Sequence, residues 1–379
     1  MTTTTPFMDA TSDHASIAQN QAARVLSPPD QLRRFARPGE GSSQWAHYAE
    51  HPAYAGVPAT FGERLIALWT FGLYFGLILT KRLISYELIP AHLRRKGGLA
   101  FTMSAIGNVR RRMTRAIRIE GSAAAKPVLM ALRSDGICVA AVPQAKFEAI
   151  NSAARPLLQQ LRKRRGTLSS GREFDDSRET ALRTTDAALF EAVEDMLHCS
   201  GLLEAVCAYL GREARLIDIN PQINDSSDDF WKKPFADLPS DERPARYFHK
   251  DASGGDVKAI LYMSDVGPAS GPFGYAVGSH AVPRTALVNW IEETNDQSGF
   301  SSTDPVARRK FMALPAFLRR KCAVGNDLLP GDETTDRLLR AEWVITAPRG
   351  HIVLFDTKGF HRGGMVSEGE REVLTCVLG

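Results

Sequence analysis

From Gly211 to Gly379 the chain is cut into short runs rich in β-branched and aromatic residues: ARLIDINPQIN, ARYFHKD, DVKAILYMSDV, FGYAVGSH, EWVITAPRG, HIVLFDT and REVLTCVLG. Gly, Pro, Asp and Ser separate them. Apolar runs of about four to eight residues bounded by turn formers read as strands. Strands that succeed one another without helices between them build a sandwich or barrel, whereas a parallel sheet needs a helix after each strand. One interruption, from Trp290 to Ala341, is polar with some helical character and long enough to be a lid or substrate loop. Upstream, Gln144 to Arg165, Thr185 to Leu197 and Gly201 to Leu210 carry helical periodicity. PVLMALRSDGICVAAVP is predicted as a strand interrupted by a turn at Ser134, Asp135 and Gly136. The fold class is therefore mainly β with flanking helices.

The N-terminal third has a different texture. Residues 1–57 are rich in Thr, Ser, Ala, Pro and Gly and show no sustained apolar period, which predicts a flexible arm. Residues 58–127 are predicted to form an apolar and basic helical extension. Within it, Leu65 to Thr80 is an uncharged apolar run, and residues 61–120 hold 11 basic against 3 acidic groups. The run falls short of the roughly 17 to 25 residues that span a bilayer. A helix packed on the enzyme or on a second copy is the first expectation, and a membrane-surface element is the alternative. The whole-chain excess, 47 Lys and Arg over 43 Asp and Glu, gives no reason to invoke nucleic acid. Five cysteines at irregular spacings, with no C-x-x-C pair and no apolar signal segment in the first 25 residues, place the expected compartment in a reducing cytoplasm.

The sharpest chemical signal is Tyr247-Phe248-His249-Lys250-Asp251. Residues i and i+2 of a strand share a face, so His249 and Asp251 would project together into the sandwich interior. An imidazole beside a carboxylate supplies two corners of a 2-His-1-carboxylate triad, the ligand set that leaves open positions on non-haem Fe(II). With 9 His in the chain, an H-x-D arises by chance about once in two chains of this length, so the motif alone decides little. HIVLFDTKGFHRGGMVSEGEREVLTCVLG adds the third corner. A strand ending near Asp356 delivers His361 at a turn, and Arg371 opens the next strand. A guanidinium there offers a bidentate fork for a dicarboxylate.

In this ordered set, FHKDASGGDVKAILYMSDVGPASGPFGYAVGSH and GHIVLFDTKGFHRGG followed by REVLT, the chain resembles the phytanoyl-CoA dioxygenase family of Fe(II)/2-oxoglutarate-dependent oxygenases. RSDGICVAAVP resembles that family's entry strand, so the resemblance spans roughly residues 128–379. It implies a double-stranded β-helix, a cupin-like jelly roll, in which His249, Asp251 and His361 bind iron. Arg371 would then hold the distal carboxylate of the cosubstrate 2-oxoglutarate. It also implies oxidation of a substrate C–H by O2 with release of succinate and CO2, and an intact Asp251 points to hydroxylation, desaturation or cyclisation and away from halogenation. Gln222, on the strand before the H-x-D motif, either hydrogen-bonds the cosubstrate or is an ordinary strand-end polar residue. Lys258 and Tyr262, four apart on one strand face, either line the cosubstrate pocket or face solvent. His280 reads as structural, bonded to backbone in its turn. The expected partner is a small-molecule or acyl-type substrate. A non-catalytic binding module and a membrane-surface oxygenase acting on a lipid are the competing readings.

Overall fold

The computed structural model describes residues 24–35, 59–84, 122–167, 174–228, 248–251, 256–281, 286–298, 305–322 and 333–379. Its strands are β1 (Arg24–Leu26), β2 (Ile137–Ala141), β3 (Leu216–Asp225), β4 (Val257–Tyr262), β5 (Phe273–Ala276), β6 (Glu342–Ile345), β7 (His351–Asp356), β8 (His361–Arg362) and β9 (Glu370–Leu378). The large antiparallel sheet has the order β1-β2-β7-β4-β9-β3, and the small one β6-β5-β8. His249 extends the small sheet beyond β8: its N–H donates to the His361 carbonyl, and its carbonyl accepts the His361 N–H, both at 2.9 Å. Starting from β3, successive segments thus fall to the large, small, large, small, small, large, small and large sheet. That is the double Greek key of a jelly roll, the double-stranded β-helix expected above.

Strand alternation decides what each side of the large sheet does. Cys138, Leu354, Ala259, Cys376 and Ile219 pair directly across β2, β7, β4, β9 and β3 and are all buried. They pack under α2 (Ala125–Asp135), α3 (Gln144–Gly166), α4 (Ala187–Cys199) and α5 (Leu202–Leu210), which contribute Val128, Leu132, Phe147, Ile150 and Val206 to one core. Each fully buried Leu or Ile there contributes roughly 1.5–3 kcal/mol. On the opposite side, Tyr262, Phe273, Tyr275, Phe355, Val353 and Val373 fill the space between the sheets.

Two expectations are corrected. Residues 125–135 are a helix and not half of an interrupted strand. Val128, Leu129 and Leu132 bury a helical face, and Gly136, at φ 77°, ends it by returning its N–H to the Leu132 carbonyl. A short apolar run fits both periods, and the strand begins only at Ile137. Within the predicted arm, Arg24–Leu26 pairs with β2, and Phe35 N–H donates to the Val277 carbonyl at 2.9 Å. Residues 1–23 and 36–57 lie outside the described residues.

The apolar run belongs to α1 (Phe61–Ile84). The interruption at 290–341 contributes α6 (Ala286–Gln297), α7 (Pro305–Ala313), α8 (Ala316–Cys322) and α9 (Glu333–Ala341). Ala67 and Phe71 of α1 share a core cluster with Ile291, Phe311, Leu314 and Leu318. The extension and the interruption therefore pack together as one helical unit.

Candidate metal centre

The segment 248–251 and the start of β8 bring His249, Asp251 and His361 together, one ligand atom from each lying within 4.8 Å of the others. Among the described residues this is the one cluster of three or more His, Cys, Asp or Glu side chains so arranged. Asp251 Oδ1 stands 3.9 Å from His249 Nε2 and 3.7 Å from His361 Nε2. The turn between β7 and β8 sets this geometry. Its Thr357 carbonyl accepts the Asp251 N–H at 3.1 Å, and Phe360 N–H donates to Ser279 Oγ at 2.7 Å. Gly359 is needed there because an added Cβ would lie 1.9 Å from the Tyr275 hydroxyl oxygen. That accounts for Ser279 and for the G-F-H spelling of the turn.

The His361 ring is buried among Phe355, Phe273 and Tyr275, with centroid separations of 4.8, 5.8 and 6.5 Å. Its Nδ1 lies 2.9 Å from the Gly359 carbonyl. A carbonyl only accepts, so Nδ1 carries the proton and Nε2 presents its lone pair to the cluster. Burial, reinforced by His249, pushes the imidazole down to about 3, which keeps it neutral and able to ligate. Burial alone would raise the Asp251 carboxyl, but His361, Lys258 and His249 outweigh it and hold the group below the usual carboxylate range. Two imidazoles and a carboxylate are the ligand set of a divalent first-row metal, and three protein ligands leave coordination positions open. Cis ligands on such an ion sit about 3 Å apart, and these atoms need only modest side-chain movement to reach that spacing.

Arg371 opens β9 on the same inner face and is buried. Its Nη2 donates to Asn224 Oδ1 at 3.1 Å and its Nη1 to the Gly364 carbonyl at 3.4 Å, while its Nε is buried with no hydrogen-bond partner among the described residues. Burial lowers the guanidinium pKa, with Tyr262 and Asp228 acting in the other direction. Behind it runs a polar chain: Asn224 Nδ2 donates to Asp228 Oδ2 at 3.2 Å, and Arg165 Nη1 of α3 holds Asp228 Oδ1 at 2.9 Å. Arg165 also pairs with Asp225 at 2.9 Å. A buried guanidinium, braced on one side and with an unmet donor, fits a carboxylate ligand.

The remaining sequence candidates separate. Lys258 Nζ stands 2.9 Å from Asp251 Oδ2, so it braces the carboxylate of the cluster. Tyr262 is fully buried: its hydroxyl donates to the Ile345 carbonyl at 3.0 Å and accepts the Phe273 N–H at 3.3 Å, tying the two sheets together. Gln222 is half-buried on the inner face, opposite Val373 and two residues from Asn224. It is Asn224 that bonds Arg371. His280 Nε2 bonds the Arg133 carbonyl at 3.3 Å, the backbone role expected of it. Sequence reasoning missed Asn224, Asp228 and Arg165. The alternation of Asn220, Gln222 and Asn224 on one face of β3 was the available signal.

No protein-family model matches the chain, and no curated protein matches it. Among solved structures it is similar to AviO1 from Streptomyces viridochromogenes Tue57, at 16% identity and a TM-score of 0.38, covering 67% of this chain and 94% of AviO1. The epimerase SnoN, crystallised with Fe3+, alpha ketoglutarate and nogalamycin RO, is 13% identical with a TM-score of 0.38, covering 68% and 83%. EctD from S. alaskensis, crystallised with 2-oxoglutarate and 5-hydroxyectoine, is 13% identical with a TM-score of 0.38, covering 66% and 74%. With superposition this partial, the functional reading rests on the side chains of this chain.

Proposed function

We propose that the chain is an Fe(II)- and 2-oxoglutarate-dependent oxygenase, similar to phytanoyl-CoA dioxygenases, that hydroxylates an unactivated C–H of a small-molecule or acyl-type metabolite. The observation that carries this reading is the pairing of the His249, Asp251 and His361 cluster, with His249 and Asp251 only partly buried, with a buried, partly unsatisfied Arg371 on the inner face of the large sheet. Iron, when bound, supplies the coupled reduction of O2, with one oxygen atom going to the substrate hydroxyl and the other to succinate as 2-oxoglutarate loses CO2.

The residues divide the remaining work. His249, His361 and Asp251 would hold the metal, and the Gly359 carbonyl keeps His361 in the ligating tautomer. Lys258 keeps the second Asp251 oxygen engaged. Arg371 takes the distal carboxylate of 2-oxoglutarate, and Asn224, Asp228 and Arg165 fix the direction of its fork. Phe273, Tyr275 and Phe355 exclude water behind the metal ligands. Gln222, within reach of the Arg371 strand, is a further cosubstrate contact in this reading.

The test is conversion of 2-oxoglutarate to succinate by the purified full chain, with and without added Fe(II). Iron-dependent turnover that disappears in both Asp251→Ala and His361→Ala is expected. Turnover that persists unchanged in the two variants contradicts the reading, and metal binding without any turnover would favour a non-catalytic module.

A further inference from the structure

A carboxylate stands on the helix-facing side of β7, where its strand neighbours are aliphatic. Ile352 and Leu354 enter the core under the helices, and Asp356 ends the strand on that same side, only 5% exposed. A buried carboxylate needs partners for both oxygens, and this one has them. Tyr209, near the end of α5, donates its hydroxyl to Asp356 Oδ2 at 2.5 Å, and the Lys358 N–H donates to Oδ1 at 2.9 Å. The Asp356 carbonyl accepts the Gly359 N–H at 3.0 Å and the Tyr275 hydroxyl at 3.1 Å. Its own N–H donates to the Gly136 carbonyl at 2.8 Å. Burial and the adjacent Asp356 push the Tyr209 phenol up, so it stays protonated and donates.

These bonds fix the start of the turn that ends in His361. Inside that turn the Thr357 carbonyl accepts the Asp251 N–H, and the Gly359 carbonyl holds His361 Nδ1. The Tyr275 ring, whose hydroxyl bonds Asp356, lies nearly parallel to the His361 imidazole, with 14° between the planes. Displacing Asp356 would therefore disturb the anchors of two residues of the cluster at once. Adhesion between α5 and the sheet does not by itself call for these groups, because replacing both partners of a buried hydrogen bond by apolar groups of the same shape is often close to neutral. What a carboxylate supplies and a leucine cannot is a pair of acceptors, one for the helix and one for the backbone of the turn. The bond from Lys358 N–H is an Asx turn, which presets the chain direction just after the strand.

We propose, on the reading of His249, Asp251 and His361 as metal ligands, that Tyr209 and Asp356 are positioning residues for the metal centre. Tyr209 holds the carboxylate from the helix layer, and the carboxylate sets the turn that presents His361 and anchors Asp251. Neither side chain belongs to the ligand set. Arg371 is braced separately, by Asn224. Loss of the pair should therefore weaken metal binding and leave 2-oxoglutarate binding at saturating iron unchanged.

The test is anaerobic calorimetric titration of the full chain with Fe(II), comparing wild type, Tyr209→Phe, Asp356→Ala and Leu354→Ala, with urea unfolding of each metal-free protein alongside. Losing a partner that orients a metal ligand costs roughly 10- to 100-fold in metal affinity, so Fe(II) binding about ten-fold weaker is expected in Asp356→Ala. Tyr209→Phe removes one oxygen and keeps the ring, and about a three-fold loss is expected. It also carries the test if Asp356→Ala fails to fold. Leu354→Ala, on the same side of the same strand, should lose stability while its folded fraction binds Fe(II) as wild type does. In succinate formation, excess Fe(II) should restore Tyr209→Phe to wild-type kcat with an unchanged KM for 2-oxoglutarate. Unchanged Fe(II) affinity in the folded Tyr209→Phe and Asp356→Ala proteins overturns the proposal and leaves the metal reading standing. An equal loss of affinity in Leu354→Ala also overturns it, by reducing the pair to a brace of the fold. A wild-type chain that binds no Fe(II) overturns both. Fe(II) binding with no succinate formed contradicts the oxygenase reading alone, because the measured affinities still decide the role of Tyr209 and Asp356.

Discussion

Toward the helices, five strands of the large sheet present Cys138, Leu354, Ala259, Cys376 and Ile219, each no more than 2% exposed. Toward the small sheet, β4, β9 and β3 present Lys258, Thr375, Asn220, Gln222, Asn224 and Arg371, most of them only partly covered, beside the apolar Tyr262, Val353, Phe355 and Val373 between the sheets. The two sets lie one residue apart along these three strands, yet one belongs to an all-apolar core and the other sets polar side chains among the inter-sheet apolar residues, Lys258 reaching Asp251 of the cluster. The period of two thus separates the groups that stabilise the domain from the groups that can do chemistry. Substitutions on the two faces should therefore fail in different ways.

The largest effect is expected from Asp251→Ala. Loss of a residue that merely orients a metal ligand costs 10- to 100-fold, so loss of a ligand should lower succinate formation by on the order of 10³-fold or more. Urea unfolding of this variant should stay close to wild type, and comparable loss of stability and activity would break the contrast between the faces. On the helix-facing side, Leu354→Ala should cost about 3 kcal/mol in urea unfolding while the folded fraction keeps the wild-type turnover per iron bound. A Leu354→Ala protein that folds well but is inactive would show that the faces are not separable.

Two smaller effects sharpen the inner face. Arg371→Met should weaken 2-oxoglutarate binding by about 100-fold with Fe(II) affinity retained, measured by calorimetric titration, because a buried charge contact is truncated. Asn224→Ala leaves the guanidinium in place and removes one of its braces, so about a ten-fold loss of 2-oxoglutarate affinity is expected. Equal effects from the two variants would mean that Arg371 acts through the fold and not as the carboxylate fork.

Much of this was legible in the sequence because it is local. His249 and Asp251 share a face by strand alternation, His361 sits on a turn spelled by Lys358, Gly359 and Phe360, and the strand cadence after Gly211 announced an antiparallel β fold. The braces of Arg371 were not legible. Asn224 and Arg371 are 147 residues apart and Arg165 and Asp228 are 63 apart, and only strand register and helix packing bring them together. Tyr262 shows the converse limit. Its position on the face with Lys258 was readable, but the backbone groups of Ile345 and Phe273 that engage its hydroxyl belong to the opposing sheet. The helix at 125–135 was missed because its apolar residues satisfy both periods until packing chooses one.

Iron held by His249, Asp251 and His361, with Arg371 as the carboxylate fork, would give the protein a distinct visible signature. Anaerobic titration of the purified chain with Fe(II) and then 2-oxoglutarate, followed by visible absorption, tests this without any knowledge of the substrate. A metal-to-ligand charge-transfer band that saturates at one iron and one 2-oxoglutarate per chain is expected, absent in Asp251→Ala and requiring far more 2-oxoglutarate in Arg371→Met. No band in the wild-type chain, or an equal band in Asp251→Ala, would contradict it.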